Sequence, residues 1–330
     1  MSKKRIHYFT VISIILSSAY SFAAQNTVKD EEESSGSDPK ITLKLTYPPG
    51  KYVVHQGQVM DMNMKIQQGG NTQNQAVKQK QDMWMGLDVS SPDSSGNKKA
   101  TMTFTRMRQE MNIGPQNIII DTADEKTMKN NMMAGAFLPL MKIKLTMTIS
   151  PEGKVIEIKG MEEYFKNLAK QNPQMAQQMK QSLGDKALAR IYTQVFDMSP
   201  KKPIGVGAVW YSNIKMPVPM MGDSEIKTKY KLQKIHKDQA APKADIAVHA
   251  KMEIKDGKGA NVNNMNLKVS EMSMDMKGNA IINIKTGMLS KQSMDIVGGF
   301  KMSIKGPQGP VNMDGTFKGK QNVTFSKATK

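Results

Sequence analysis

Strict two-residue alternation of apolar and polar side chains, repeated through most of the chain, is the feature that most restricts what this sequence can fold into. Met60, Met62, Met64 and Ile66 alternate with Asp61, Asn63 and Lys65. Met83, Met85, Leu87 and Val89 alternate with Asp82, Trp84, Gly86 and Asp88, and Ile143, Leu145, Met147 and Ile149 alternate with lysines and threonines. The same grammar returns at Ile246–Ile254, at Met272, Met274 and Met276, and at Phe300, Met302 and Ile304. A period of two sends successive side chains to opposite faces, so these segments read as antiparallel strands with one dry and one wet face. Pro92–Gly96, Ser150–Gly153 and Gly306–Pro310 supply the turns between them.

One stretch breaks the pattern. Met161, Tyr164, Phe165 and Leu168, then Met175, Met179 and Leu183, then Leu188, Ile191, Tyr192 and Val195, recur at three- and four-residue spacing. That spacing predicts a helical pair, interrupted at Asn172-Pro173 because proline cannot continue a helix. The fold class expected is therefore α+β: two mostly antiparallel, curved sheets or half-barrels joined by a central helical insert. The divisions expected are a signal peptide at 1–23, a disordered acidic linker at 24–39, an N-terminal β-lobe at 40–159, a helical insert and connector at 160–209, and a C-terminal β-lobe at 210–330. Lys99–Phe104 echoes Lys243–Val248, and Glu152-Gly153 with Gly160 echoes Thr286-Gly287 with Gly298, which suits two related lobes.

The compartment follows from the first residues. Lys3, Lys4 and Arg5 precede a short apolar run from Phe9 to Phe22, and Ser21-Phe22-Ala23 offers small residues for cleavage after Ala23. The chain reads as exported, periplasmic or secreted, and not integral to a membrane once cleaved; no later apolar run is long enough to cross one. Cleavage would lower the net charge from +18 to +15. The absence of cysteine excludes disulfides, thiolate metal sites, a cysteine nucleophile and an acylated N-terminal cysteine. The basic excess sits on the polar alternates of strands, as at Lys227, Lys229 and Lys231 or Lys251 and Lys255. A solvated lysine face explains it, with an anionic partner such as lipid headgroups as the functional counterpart. Nucleic acid is not expected: lysine predominates over arginine and no aromatic-interleaved basic stripe occurs.

Catalytic motifs are missing. There is no G-x-S-x-G elbow, phosphate loop, dinucleotide fingerprint or calcium loop, so neither an enzyme nor a cofactor is implied. Glu162-Glu163 sits where carboxylates favour a helix N-terminus. His55, His236 and His249 fall in separate strands without zinc spacing. Trp84 and Trp210 read as packing residues. Methionine is the oddity, at 30 residues against nine phenylalanines. Thioethers on a strand face fill a core, or line a pocket that adapts to apolar ligands. The candidate wall of such a pocket is Met60, Met62, Met64, Met83, Met85, Phe165, Leu168, Met272, Met274 and Met276. Soft-metal binding of Cu(I) or Ag(I) at Met272, Met274 and Met276 is the remaining alternative.

Tyr47-Pro-Pro-Gly50-Lys-Tyr52 and the segment Phe196-Asp-Met-Ser-Pro200-Lys-Lys-Pro-Ile204-Gly-Val206-Gly207-Ala-Val-Trp210 resemble an uncharacterised family of exported bacterial proteins. Its members carry a mid-chain P-x-K-x-V-x-V-G-x-x-W-like segment and a domain of unknown function. The outline of β-lobe plus helix is also similar to periplasmic lipoprotein-carrier half-barrels, a likeness that implies acyl-chain binding. The function expected is a non-enzymatic envelope protein holding an apolar ligand, lipid or acyl chain, between sheet and helices. A structural or interaction protein without a ligand is the alternative.

Overall fold

The first strand of the chain pairs with the last. In the computed structural model β1 (Gly50–Gln68) runs antiparallel to β13 (Gly309–Lys327) from Tyr52↔Lys327 to Gln68↔Val311. This seam joins the two halves into one sheet. The structure describes residues 36–129, 141–151, 153–171, 173, 176–177, 180, 184–185, 199–218, 222–237, 241–255, 257, 259–262, 265–306 and 309–328. Outward from β1 on one side lie β2 (Asn71–Val89), β3 (Lys98–Ile113), β5 (Lys144–Ile149) and β6 (Val155–Lys159). Outward from β13 lie β12 (Leu289–Gly306), β11 (Met265–Asn283), β9 (Lys243–Lys255), β8 (Gly222–His236) and β7 (Val209–Val218). Two short strands pair off this path, β4 (Gln116–Asp121) on β3 and β10 (Ala260–Val262) on β11. Every pairing is antiparallel, and among the described residues the helices are α1 (Glu125–Lys129) and α2 (Met161–Gln171).

This corrects the expected α+β fold. Among the described residues the protein is nearly all antiparallel β, one open sheet of thirteen strands, with no helical layer between two sheets. The helical period did mark a helix at Met161–Gln171, whereas the apolar residues that continue it, from Met175 to Val195, lie outside the described residues. What periodicity could not show is that residues 160–208 connect opposite edges of one sheet, β6 and β7, while β1 and β13 close its centre.

Local chemistry explains the long hairpins. The β1–β2 turn is Gly69-Gly70 with φ of +55° and +80°, the two positive values a twisted two-residue hairpin demands. Asp93 Oδ1 accepts the amides of Ser95 and Asn97 and so organises the β2–β3 loop. One face of the sheet is largely buried along the described strands. Its core includes Met60, Met62, Met64, Val77, Met111, Met272, Met274, Met276, Ile296 and Phe317, all buried.

The sheet is curved, and a strap shows it. Residues 36–47 cross the end where β1 begins. Ile41 exchanges both backbone hydrogen bonds with Ile204, Ser37 N–H donates to Val206, and Leu45 N–H donates to Ser199 Oγ. Thr46 N–H donates to Gly287 O at 3.0 Å in the β11–β12 turn, while Lys44 Nζ donates to Pro151 O at 3.3 Å in the β5–β6 turn. Six strand steps separate β5 from β11, about 29 Å on a flat sheet. Two residues of extended chain reach at most about 7 Å, so one lysine side chain can bridge the turns only if the sheet curls. Glycine makes the close approach possible: a Cβ on Gly205 would overlap Ser37 O, and one on Gly287 would overlap Lys44 O. The turns that echo each other in sequence, Ser150–Gly153 and Ile284–Gly287, thus grip the same three residues.

Candidate functional site: the inward face and its edge groove

The two thioether triplets fall in register across four strands. Met64 lies level with Gly315, Phe300 and Met272; Met62 with Phe317, Gly298 and Met274; Met60 with Gly319, Ile296 and Met276. Large and small residues alternate so that rings cover glycines. A Cβ on Gly315 would come within 2.7 Å of Phe300 Cζ, and one on Gly298 would strike Phe317. The six methionines are 2–3% exposed, so the wall is closed and packed. Met83 and Met85 lie further toward the strap, past the Gln58–Gln81 row, half-buried and buried, opposite Met107 and Phe104. Leu168 lies on α2, its side chain outside the described residues. Phe165 is buried, but at another place.

That place is the open part of the site. Where the inward face reaches the β6 edge, a groove of about 940 Å³ lies between β5, β6 and α2. Ile143, Ile156, Ile158, Tyr164 and Phe165 give it apolar walls, and Lys142, Lys144, Lys159 and Lys166 line it with Glu157, Glu162 and Glu163. Ile158 belongs to the inward row Ile158–Met147–Ala100–Val89, so the groove is continuous with the dry face. Ile156 is 58% exposed, a large apolar side chain left in water. It is also the extra residue of a bulge, since Val155 and Glu157 pair with Ile149 and Thr148. Gly160 turns the chain with φ of +126°, and Asp185 Oδ1 accepts the Met161 amide at 3.3 Å, capping α2 from outside the helix. Burial pushes the Asp185 carboxyl and the Tyr164 phenol up from their ordinary values. Carboxyl, phenol and lysines here could hold an amphipath by contact and charge.

Beneath the strap is a second, smaller space. A cavity of about 40 Å³ is lined by Leu43, Leu45, Trp210, Tyr230, Ala280 and Leu289 among others. Trp210 stacks on Tyr230 at 5.3 Å, and burial pushes the Tyr230 phenol up to about 12.

Sequence reasoning missed two arrangements. Six glutamines, Gln58, Gln79, Gln81, Gln109, Gln292 and Gln321, are buried on the inward face, as are Ser212, Ser224 and Thr228. Their signal was available, because Gln56 and Gln58 continue the inward register of Met60, as Gln79 and Gln81 continue that of Met83. On the outer face each of the three described histidines meets an aspartate diagonally across neighbouring strands: His55–Asp82 at 3.0 Å, His236–Asp245 at 2.8 Å and His249–Asp275 at 3.1 Å. Trp84 points outward too, between the His55 ring at 4.8 Å and the Arg106 guanidinium at 5.0 Å. Arg106 is held in a fork by Asp121, and that hydrogen-bonded pair draws the Asp121 carboxyl below its ordinary range. No group of three His, Asp or Glu suited to a metal ion occurs among the described residues.

No curated protein matches the sequence. Among solved structures, lipovitellin, studied for its lipid–protein interactions, is 9% identical over 86% of this chain, with a TM-score of 0.42. This chain spans about a quarter of its length, 26%. An outer membrane channel from Pseudomonas putida F1 is 5% identical over 88% of this chain and 100% of its own, at a TM-score of 0.21. A DUF1329 family protein from Desulfovibrio piger is 9% identical over 82% and 83% of the two chains, at 0.14. No described helix is long and apolar enough to cross a membrane. Residues 95–289, from the β2–β3 loop to the start of β12, match a family model that spans the strap's turns, α2 and the Gly205–Trp210 segment; the chain belongs to the family of unknown function DUF6263.

Proposed function

We propose that this protein is a non-enzymatic, exported envelope protein that binds an amphipathic acyl ligand, with its mouth at the groove between β5, β6 and α2. One observation carries the reading: the groove joins apolar walls to lysines and is continuous with a methionine-lined inward face. Methionine side chains have three rotatable bonds and repack around an entering chain. Lysines at the groove suit an anionic headgroup, and the lysine-bearing outer face suits an anionic membrane surface.

The test is calorimetric titration of the delipidated protein with palmitate, beside Ile156→Asp. Ile156 is exposed, so the variant keeps its core. Covering an isoleucine side chain is worth about 1.5–3 kcal/mol, so the charge should weaken binding by about tenfold or more. No palmitate binding, or equal binding by the variant, contradicts the reading. The closed methionine rows favour a second reading, an interaction protein of the envelope without a ligand. Absence of any bound chain under these conditions decides for it.

A further inference from the structure

Four glutamines stand directly opposite one another on four adjacent strands. Gln109 of β3 faces Gln81 of β2, Gln81 faces Gln58 of β1, and Gln58 faces Gln321 of β13. Each is more than nine-tenths buried. With strands about 4.8 Å apart, they draw a polar line about 14 Å long across a wall of thioethers and branched aliphatics. Packing does not call for amides here. Methionine has nearly the volume of glutamine, and the neighbouring row already uses Met60 and Met111 on either side of Gln79. Burying a primary amide is unfavourable unless its donors and acceptors are met. The Gln58 Nε2 donor has no hydrogen-bond partner and is shut away from solvent. A row of neutral donors and acceptors, with an unused N–H in the dry face, lacks only a neutral acceptor.

We propose that the Gln109–Gln81–Gln58–Gln321 row is a subsite for the carbonyl of an ester or amide linkage in an acyl ligand. The hydrocarbon lies along the methionine rows beside it, and Gln58 Nε2 donates to the carbonyl oxygen. The row carries no charge, so it recognises the linkage and not a phosphate or carboxylate head. This assignment rests on the acyl-binding reading above and adds a chemical requirement to it. The flexible chains of Met60, Met83 and Met107 yield the space.

The experiment compares two probes that differ in one carbonyl, 1-palmitoylglycerol and 1-O-hexadecylglycerol, titrated into the full chain. The ester should bind about tenfold tighter than the ether. In Gln58→Met/Gln81→Met, which preserves volume, the two affinities should converge within about twofold. A second measurement needs no variant: the Gln58 side-chain amide proton should shift downfield in nuclear magnetic resonance spectra with the ester and not with the ether. Equal binding of both probes by the wild type, or a tenfold preference kept by the variant, overturns the subsite while acyl binding stands. Failure of the wild type to bind either probe overturns both.

Discussion

Leu43→Ala tests whether the strap holds the curled sheet. Leu43 is buried in the strap and faces Trp210, Tyr230, Ile246, Val248, Ala280 and Ile282 across the cavity beneath it. Those partners come from β7, β8, β9 and β11, whose ladders fix their spacing. A cavity costs about 24 cal/mol per Å³. The 40 Å³ already present is thus worth about 1 kcal/mol, and alanine at position 43 would enlarge it. Leucine-to-alanine changes cost about 2.7–5.0 kcal/mol, with rigid sites toward the upper end, so a loss of about 3–4 kcal/mol is expected here. The assay is urea unfolding followed by Trp210 emission in a Trp84→Phe background, which leaves one tryptophan, the one under the strap. The native emission should also shift to the red as water reaches the indole. A loss below about 1 kcal/mol with unchanged emission would refute the argument, because the strap would then be an appendage.

Two further perturbations probe the wall and the outer face. Gly315→Ala places a methyl 2.7 Å from Phe300 Cζ and should cost about 1–3 kcal/mol in thermal or urea unfolding, with much of it recovered by adding Phe300→Leu. The Asp121 carboxyl is held low by Arg106, so its contribution is present above the ordinary carboxylate range and lost as pH falls through its depressed value; Arg106→Gln should remove that acid-side dependence from unfolding curves. Tyr230 acts at the other end: its phenol is raised to about 12, so the neutral form stabilises the fold below pH 10 and that stabilisation disappears as pH rises toward 12. Tyr230→Phe should flatten the alkaline limb.

Much of the sheet was legible in the sequence, because alternation is a local consequence of the pleat. Met60, Met62 and Met64, like Met272, Met274 and Met276, face inward as their period requires, and Met161–Gln171 is helical as its period requires. The architecture was not legible, since β1–β13 pairing joins residues as far apart in sequence as Tyr52 and Lys327 and leaves no local trace. The helical segment therefore looked like a layer, when it is a connection between edges. The glutamine row escaped because reading a core by its apolar residues passes over amides, even where they hold the inward register. Likewise Gly205, conspicuous in a family-like segment, acquires its meaning only when Ser37 is brought against it. Phe165, expected where a helix packs on the sheet, lines the groove at the β6 edge.

The most direct measurement follows the methionine ε-methyl groups, ¹³C-labelled and assigned by single Met→Leu changes, in the delipidated protein and during titration with palmitate. The methyls of Met60, Met62, Met64, Met272, Met274 and Met276 should be untouched by a soluble paramagnetic agent before titration and should move as palmitate binds. Methyls bleached by the agent from the outset, or methyls that stay fixed while palmitate binds, would contradict the inward face as a ligand wall.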